Sequence, residues 1–336
     1  MKTRIAINGF GRIGRTAFKI AHRRSDIEIV AINDLGDPNA LAHLLKHDST
    51  YHNYSWYKTI EAGEKEIIVD GLKIPVYSEK DPNNLPWKKL EVDIVIESTG
   101  FFTEPKKAKS HLKAGAKKVI ISAPCKGEGA KTVILGVNDG DLRKDDVVIS
   151  NGSCTTNCVA PVLKILEDAF GVKKSMMTTV HSYTNSQSLQ DGAKKDLRES
   201  RAASENIVPT STGASKAVGA AMPETNGLFN GLSIRVPNPV VSLIDLTLIT
   251  KKKVTKEEVN ETLIKAASQA RWQGIVTTTD EELVSSDFIG NSHSAIVDLP
   301  LTDVVDGDLV KVVAWYDNEW GYSNRLVEIC VDANNL

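Results

Sequence analysis

The residues best suited to covalent chemistry share one short stretch, Ser150-Asn151-Gly152-Ser153-Cys154-Thr155-Thr156-Asn157-Cys158. A β-branched run, Val147–Ile149, leads into it, and an amphipathic helical pattern, Thr155–Phe170, follows. Cys154 therefore falls at a predicted helix N-terminus, where unpaired N–H groups and the helix dipole stabilise a thiolate. A thiolate there is a nucleophile toward an electrophilic carbon, and a nearby imidazolium would lower its pKa further. The competing reading is a small buried hydrophobe, the usual fate of a free cysteine. The polar neighbours Ser153 and Thr155 argue against it. Cys158 lies one helical turn on, on the same face. The pair could bind metal or close a disulfide under oxidation, but no further ligand cluster accompanies it, so no metal site is expected.

Seven histidines are available as a base. His22, His43, His47, His52 and His111 lie on helical or loop segments of the first half and read as surface or packing residues. His181 ends a β-branched run, Thr178-Thr179-Val180, and enters a polar loop; a strand end is well placed to act at a cleft. Spacing alone leaves His181 and His293 both open.

The second constellation is Asn8-Gly9-Phe10-Gly11-Arg12-Ile13-Gly14, which contains GxGxxG. Alone the motif is weak, since a glycine-rich turn can be only a turn. Here it follows a strand pattern and opens a helix, so its N–H groups and the helix dipole can receive a pyrophosphate. Gly9 permits the tight turn, Gly11 the approach of phosphates, Gly14 the packing of helix on strand. A second strand ends at Asn33-Asp34, where an acidic residue meets the adenosine ribose hydroxyls. These three features together point to a dinucleotide.

The elements around these residues fall into two textures. Arg4–Asn8, Glu28–Asn33, Asp93–Glu97, Lys118–Ile121 and Val133–Gly136 read as apolar strands. Helices are expected over Gly14–Arg24, Leu41–Lys46 and around Lys106–Ala114, with an antiparallel excursion at Glu66–Val69 and Lys73–Tyr77. Alternation of this kind predicts a parallel sheet buried on both faces. After about residue 150, Ser175–His181, Leu232–Val236, Val241–Ile249, Ser294–Asp298 and Leu309–Trp315 read as long strands of a second sheet. Ser182–Asn206 is a polar stretch without periodicity. Lys256–Ala270 is an amphipathic helix with Val259, Leu263, Ile264 and Ala267 on one face, and Thr255 and Glu258 have capping-box spacing. The tail, Tyr322–Cys330, is helical in pattern and is expected to return to the first domain.

Composition limits the function. The 336 residues allow two domains with ample cores. A net charge of −2 argues against general attraction to nucleic acid or anionic membrane. No apolar run of 18 or more residues suggests a membrane span, and the N-terminal strand pattern is unlike a secretory signal. Four cysteines make no disulfide framework, which fits a reducing compartment, and a cytoplasmic location is expected.

Taken together, INGFGRIGR at Ile7–Arg15, ESTGFF at Glu97–Phe102, KKVIISAP at Lys117–Pro124, SCTTNC at Ser153–Cys158, HSYTN at His181–Asn185, TGASKAVG at Thr212–Gly219 and WYDNEWGYSNR at Trp315–Arg325 resemble the glyceraldehyde-3-phosphate dehydrogenases. The resemblance covers essentially the whole chain in order and spacing. It implies an α/β protein, with a Rossmann-type domain at 1–150 completed by the C-terminal helix 317–336. An α+β catalytic domain with a mostly antiparallel sheet would fill 151–316, its loop at 182–206. It implies that Cys154 attacks the aldehyde, that His181 assists as base, and that inorganic phosphate cleaves the thioester. Thr184 and Arg235 would hold the substrate's C3 phosphate, and Ser153, Thr155, Thr212 and Gly213 the attacking phosphate. Gly9, Phe10, Gly11, Arg12, Ile13, Gly14, Asp34, Lys80, Ser122 and Asn318 would contact NAD, with Asn318 at the carboxamide. The loop at 182–206 would reach a neighbouring subunit in a homotetramer.

This chain departs from the family pattern at several positions. Gly152 stands where alanine is usual. Gly192-Ala193 stands where NAD-specific members carry Leu-Pro, which favours NADP, while the Asp34 carboxylate repels a 2′-phosphate; the expectation is NAD with NADP tolerated. Arg198-Glu199 stands where many members have two arginines, and Ser188 near another. Glu199 weakens an anion site if it faces one; alternatively it points to solvent, or Arg201 substitutes. Other readings are an erythrose-4-phosphate dehydrogenase that hydrolyses the thioester, and a non-catalytic binding protein on the same fold.

Overall fold

Ile5, Ala6 and Ile7 have no solvent exposure, so the strand Thr3–Asn8 (β1) needs a neighbour on each edge and a layer on each face. The computed structural model describes residues 2–51 and 57–336, which leaves His52 outside the described residues. From β1 the chain runs through α1 (Arg12–His22), β2 (Ile27–Asn33), α2 (Pro38–Lys46), β3 (Ile60–Ala62), β4 (Glu66–Val69) and β5 (Leu72–Tyr77). It continues as β6 (Ile94–Glu97), α3 (Pro105–Ala108), α4 (Ser110–Lys113), β7 (Lys118–Ile121), β8 (Lys131–Thr132) and β9 (Val148–Ser150). Among the described residues these strands form one sheet in the order β3-β4-β5-β2-β1-β6-β7-β9-β8. Every pairing from β5 to β8 is parallel, and only the β3-β4-β5 excursion is antiparallel. The order reverses between β1 and β6. Such a switch point leaves a crevice at the carboxyl ends of the strands.

Two expectations fail here. Val133–Gly136 is not a strand: the strand is β8, and Gly136 turns at φ +78°. Its apolar side chains serve another purpose, since Ile134, Leu135 and Val137 lie in the core of the second unit and Gly136 packs on the Trp272 ring. The helix around Lys106–Ala114 is two single turns, α3 and α4, separated at Lys109, whose ψ of −13° tightens the turn.

The second unit holds α5 (Cys154–Phe170), β10 (Val172–Ser182), β11 (Val208–Thr210), α6 (Ala214–Ala221), β12 (Phe229–Val236), β13 (Ser242–Thr250) and α7 (Lys256–Ala267). Then come β14 (Val276–Thr279), β15 (Ala295–Asp298), β16 (Asp303–Val305), β17 (Leu309–Tyr316) and α8 (Trp320–Asn334). The sheet order is β11-β12-β10-β13-β17-β15-β14, with β16 also on β17, and most pairings are antiparallel. Only β10–β12 and β14–β15 run parallel. One face is covered by α5, whose Val159, Val162, Leu163 and Leu166 meet Ile244, Leu246 and Leu248 in one core. Helix α7 carries the expected Thr255–Glu258 capping box but stops at Ala267, before Ala270. Its buried face is Val259, Leu263 and Ala266, while Ile264 is 48% exposed.

By contacts the chain divides into one unit of residues up to Val133, Gly140–Gly152 and Ser323–Leu336, and a second of Ile134–Asp139 and Ser153–Tyr322. The end of α8 is tied to the first unit, where Asn334 Nδ2 donates to Thr3 Oγ1 at 3.2 Å. Among the described residues no helix is long and apolar enough to cross a membrane.

Candidate active site

In the first unit the predicted dinucleotide residues gather at the carboxyl ends of parallel strands. Gly9–Gly11 follow β1, Asp34 follows β2, Lys80 lies three residues beyond β5, and Ser122 follows β7. The three glycines have three separate reasons. Gly9 has φ +92°, and a Cβ there would stand 2.7 Å from Thr99 N. A Cβ at Gly14 would stand 2.0 Å from the Gly9 carbonyl oxygen, so α1 reaches the loop only without one. A Cβ at Gly11 would meet nothing within 4 Å. The fold itself makes no demand for glycine there, and a ligand lying on the loop does. Gly11 caps α1 with no side-chain acceptor, which leaves the first N–H groups of the helix for an anion. These residues fit a pyrophosphate.

Asp34 anchors this loop: Phe10 N donates to its Oδ2 at 2.6 Å and Gly36 N to its Oδ1 at 2.8 Å. Phe10 itself is buried, edge-on to Phe18. Arg12 turns its guanidinium to Asp48 at 2.9 Å, leaving its backbone and that of Ile13 at the helix start. Lys80 is exposed and Ser122 half-buried. His111, expected as a surface or packing residue, lies fully buried in a polar network. Trp87 Nε1 donates to its Nδ1 at 3.0 Å, so its Nε2 carries the proton toward Glu97 at 3.1 Å.

In the second unit Ser153 caps α5, its Oγ accepting from Thr156 N at 3.1 Å, and Cys154 opens the helix. His181 comes from the end of β10. Its Nε2 lies 3.4 Å from Cys154 Sγ, which puts it beside the cysteine. His293 turns instead to Asn291, with Nδ1 at 2.9 Å from Oδ1. Burial pushes the Cys154 thiol up, while Arg235's charge and the Thr155 backbone pull it partly back. Burial, and then the Arg235 charge, draw His181 down to about 3. Both shifts favour a neutral thiol facing a neutral imidazole. Cys158 is a free, fully buried thiol one turn along.

Arg235 stands on β12 opposite His181 on β10. Its Nη1 is 2.6 Å from His181 Nδ1, which is also 2.7 Å from the Ser182 carbonyl. A guanidinium only donates. With Arg235 on Nδ1, the imidazole proton sits on Nε2 and faces sulfur. With Nδ1–H donating to Ser182 O, Nε2 has a lone pair for the thiol proton. Asn318 closes the same corner: its Oδ1 accepts from Ser182 Oγ at 3.0 Å and Ser242 Oγ at 3.1 Å, so its amide NH2 points away from them.

The residues expected on phosphate divide. Gly213 caps α6, and Thr212 Oγ1 accepts from Ala214 N at 3.2 Å. Thr155 is different. Its hydroxyl is buried at 2.9 Å from Tyr316 OH, which reaches Thr179 Oγ1 at 2.9 Å on its other side. The Thr155 hydroxyl thus faces Tyr316 and also reaches the Cys154 thiol. Tyr316, which sequence reasoning passes over, also stands edge-on to His181 with ring centroids 6.0 Å apart. Its place beside Asn318 in one motif was the available signal.

The loop at 182–206 decides the open question at Glu199. Arg201 pairs through Nε with Asp191 at 3.0 Å on the exposed surface of the loop. Glu199 is half-buried and does not point to solvent: Ser186 Oγ and Thr210 Oγ1 both donate to its Oε1 at 3.2 Å. Ser186 Oγ is in turn 3.1 Å from Thr184 Oγ1. Ser188 is buried inside the loop and donates to Gly192 O at 3.0 Å. Among the described residues no group of three His, Cys, Asp or Glu side chains gathers as a metal requires.

Known proteins match this arrangement along the chain. Residues 3–105 match the model of the glyceraldehyde 3-phosphate dehydrogenase NAD binding domain, and residues 153–318 that of the C-terminal domain. A glyceraldehyde-3-phosphate dehydrogenase of Borreliella burgdorferi is 53% identical over 332 residues, covering 97% of this chain and 98% of that one. Those of Zymomonas mobilis and Geobacillus stearothermophilus are each 51% identical, covering 98% of this chain and 97% of theirs. A glycine loop shaped for a pyrophosphate and a cysteine–histidine pair at a helix start thus lie in matched domains, and the chain belongs to the glyceraldehyde-3-phosphate dehydrogenase family.

Proposed function

We propose that this chain oxidises D-glyceraldehyde 3-phosphate and phosphorylates the product to 1,3-bisphosphoglycerate, with Cys154 as nucleophile and His181 as base. The observation that carries the reading is the 3.4 Å approach of His181 Nε2 to Cys154 Sγ at the start of α5. As the thiol attacks the aldehyde carbon, His181 Nε2 takes its proton, so neither charged form need persist in the buried site. His181 then returns that proton to the former carbonyl oxygen, which gives the hemithioacetal its hydroxyl, and takes it back as the C–H bond breaks. NAD, when bound, takes the hydride. A phosphate oxygen then attacks the thioester carbon, the C–S bond breaks, and Cys154 leaves to recover a proton from His181. The backbone N–H groups of Cys154 and Thr155, which lie at the Cys154 thiol, would serve the oxyanion of each addition.

Ser153, Thr155, Thr212 and Gly213 are assigned to the attacking phosphate, and Thr184 and Arg235 to the C3 phosphate. Gly9, Phe10, Gly11, Arg12, Ile13, Gly14, Asp34, Lys80, Ser122 and Asn318 are assigned to NAD, with NADP tolerated at the small Gly192-Ala193 pair. The dinucleotide domain takes 1–150 and 317–336, the catalytic domain 151–316. The protein acts in the cytoplasm as a homotetramer. Leu189, Leu197 and Ile207, in and beside the polar loop, are more than 70% exposed in the single chain, and a subunit contact would cover them.

The test is the initial rate of NADH formation from glyceraldehyde 3-phosphate, titrated with inorganic phosphate. A rate that saturates with phosphate supports the phosphorylating reaction. Steady turnover without phosphate means thioester hydrolysis instead, and retained turnover in Cys154→Ser removes the covalent mechanism. Light scattering tests the tetramer.

A further inference from the structure

Glu97 ends β6 as a carboxylate only 2% exposed, and its one ion-pair partner among the described residues is His111 rather than a lysine or arginine. The protons around it are directed from fixed groups outside. Asn33 Oδ1 accepts the Glu79 N–H at 2.9 Å and its Nδ2 donates to the Glu79 carbonyl at 3.0 Å, so backbone atoms decide which way this amide faces. The same Nδ2 donates to Asn8 Oδ1 at 2.6 Å, which turns Asn8 Nδ2 toward Glu97 Oε2 at 2.5 Å. From the other side the Trp87 indole, a donor only, donates to His111 Nδ1, and His111 Nε2–H meets the same Oε2 at 3.1 Å. A second proton on that ring would set N–H against N–H, so the imidazole in this arrangement is neutral. Glu97 Oε1 accepts from Thr99 N at 2.9 Å and from Thr99 Oγ1, whose lone pair takes the Phe101 N–H at 3.1 Å. All these donors converge on one ionised carboxylate, and none brings a positive charge to it.

Such a network can serve packing alone, but its place in the sheet gives the charge a use. The strands run in the order β5-β2-β1-β6-β7. Asp34, after β2, is assigned to the adenosine ribose, and the glycine loop, after β1, to the pyrophosphate. Given that assignment, the nicotinamide half continues the same way, over β6 and β7, toward Ser122. Neighbouring strands stand about 4.8 Å apart, which brings the nicotinamide ring to about 10 Å from Glu97. The ring is cationic in NAD and neutral in NADH, while the rest of the two molecules carries the same charge. Repulsion of the pyrophosphate is therefore common to both forms and cancels between them. At an effective dielectric constant of about 20, a unit charge about 10 Å away changes affinity by about tenfold.

We propose that Glu97 is a specificity-determining residue for the oxidation state of the cofactor: its buried, unneutralised charge favours the cationic nicotinamide and gives the reduced ring no such help. Hydride transfer cancels the charge of the ring, so the attraction ends with the step it serves, and the reduced cofactor leaves more readily.

The test is calorimetric titration of NAD and of NADH into wild type, Glu97→Gln and Glu97→Asp. Glu97→Gln keeps the shape and loses the charge, so the ratio of the NADH Kd to the NAD Kd falls about tenfold. Glu97→Asp keeps the charge on a shorter side chain, so both affinities weaken together and the ratio stays within about threefold of wild type. A wild-type ratio in Glu97→Gln overturns the proposal and leaves the network as packing. An equal collapse in Glu97→Asp overturns it too, because geometry rather than charge would then set the ratio. Whichever way glutamine turns, its NH2 meets one of the converging donors, which costs stability. Should that variant not fold, wild type is titrated with benzamide adenine dinucleotide, in which carbon replaces the charged ring nitrogen of NAD. It binds about tenfold or more weakly than NAD, and equal affinity overturns the proposal. If wild type binds no dinucleotide at all, the cofactor assignment is what fails.

Discussion

Gly11→Ala and Gly14→Ala are the same chemical change three residues apart, and they should fail in opposite ways. At Gly11 the backbone is extended, with φ −71° and ψ −159°, which alanine adopts without strain. The added methyl meets no atom within 4 Å. Removing a glycine also lowers the entropy of the unfolded chain, so the variant should be unchanged or about 0.5 kcal/mol more stable. The space that the methyl takes is where a pyrophosphate must rest against the first N–H groups of α1. Lifting the phosphates by about 1 Å stretches several charge-assisted hydrogen bonds, each worth about 1.5–3 kcal/mol, so NAD affinity should fall at least about tenfold. At Gly14 the methyl would stand 2.0 Å from the Gly9 carbonyl oxygen, a backbone atom that no rotamer change can remove. Ordinary contact needs more than 3.4 Å. Helix α1 must move off β1 by roughly an ångström, at a cost of about 3 kcal/mol or more. Urea unfolding of each variant without cofactor, with calorimetric titration of NAD, separates the two effects. Gly11→Ala with wild-type NAD affinity would refute the reading of that loop as a pyrophosphate cradle. Gly14→Ala at full stability would refute the packing argument.

Asp34→Ala should shift preference toward NADP, since the carboxylate that repels a 2′-phosphate is gone; an unchanged NAD/NADP ratio of kcat/KM shows that Asp34 is not the discriminator. The same change frees the Phe10 and Gly36 N–H groups, so it should also cost about 1–2 kcal/mol in urea unfolding without cofactor. Tyr316→Phe removes the hydroxyl shared by buried Thr155 and Thr179 and should cost about 1–2 kcal/mol, with a loss under 0.5 kcal/mol counting against the bridge. His181 has its pKa lowered to about 3 in the fold, against an ordinary 6.5. Its neutral form therefore supports the fold fully above pH 6.5, and that support drains as pH falls toward 3. It should make the protein about 2 kcal/mol less stable at pH 5 than at pH 7, a difference that His181→Asn removes.

Much of the site is legible in the sequence where one local pattern carries the constraint. Gly9, Gly11 and Gly14 announce a strand–turn–helix because each spacing answers to a backbone demand within a few residues. Cys154 is legible for the same reason: a β-branched run, a cap and a helix are local. What stays hidden is tertiary. Val133–Gly136 is apolar enough for a strand, but its side chains belong to another core, and β8 pairs instead two residues earlier. Ile264 and Ala266 are equally plausible on a helical wheel, and only packing chose Ala266 for the interior. His111 reads as one more surface histidine until Trp87 and Glu97 arrive from distant segments. Glu199 shows the limit most clearly: a loop without periodicity gives no direction to its side chains, and two hydroxyls drew this one inward.

The shifts of Cys154 and His181 toward their neutral forms bear on the order in which charge develops in the site. A thiolate fixed beside a protonated histidine would need both charges held in a buried pocket, and burial works against each. The neutral pair avoids that cost until an aldehyde is present, when proton transfer and C–S bond formation can occur together. Arg235 sets which form the imidazole takes. While its guanidinium donates to Nδ1, Nε2 carries hydrogen and cannot take the thiol proton. When an anion draws Arg235 away, the imidazole proton can move from Nε2 to Nδ1, which then donates to the Ser182 carbonyl and leaves Nε2 as a base. Substrate anion and base strength are then coupled through one side chain. Arg235→Met should accordingly raise the His181 pKa by about one to two pH units, as loss of a unit charge a few ångströms away requires. Imidazole proton titration by NMR in the free protein reads that shift directly. A His181 pKa that stays near 3 in the variant would leave burial as its only cause and would dissolve the coupling.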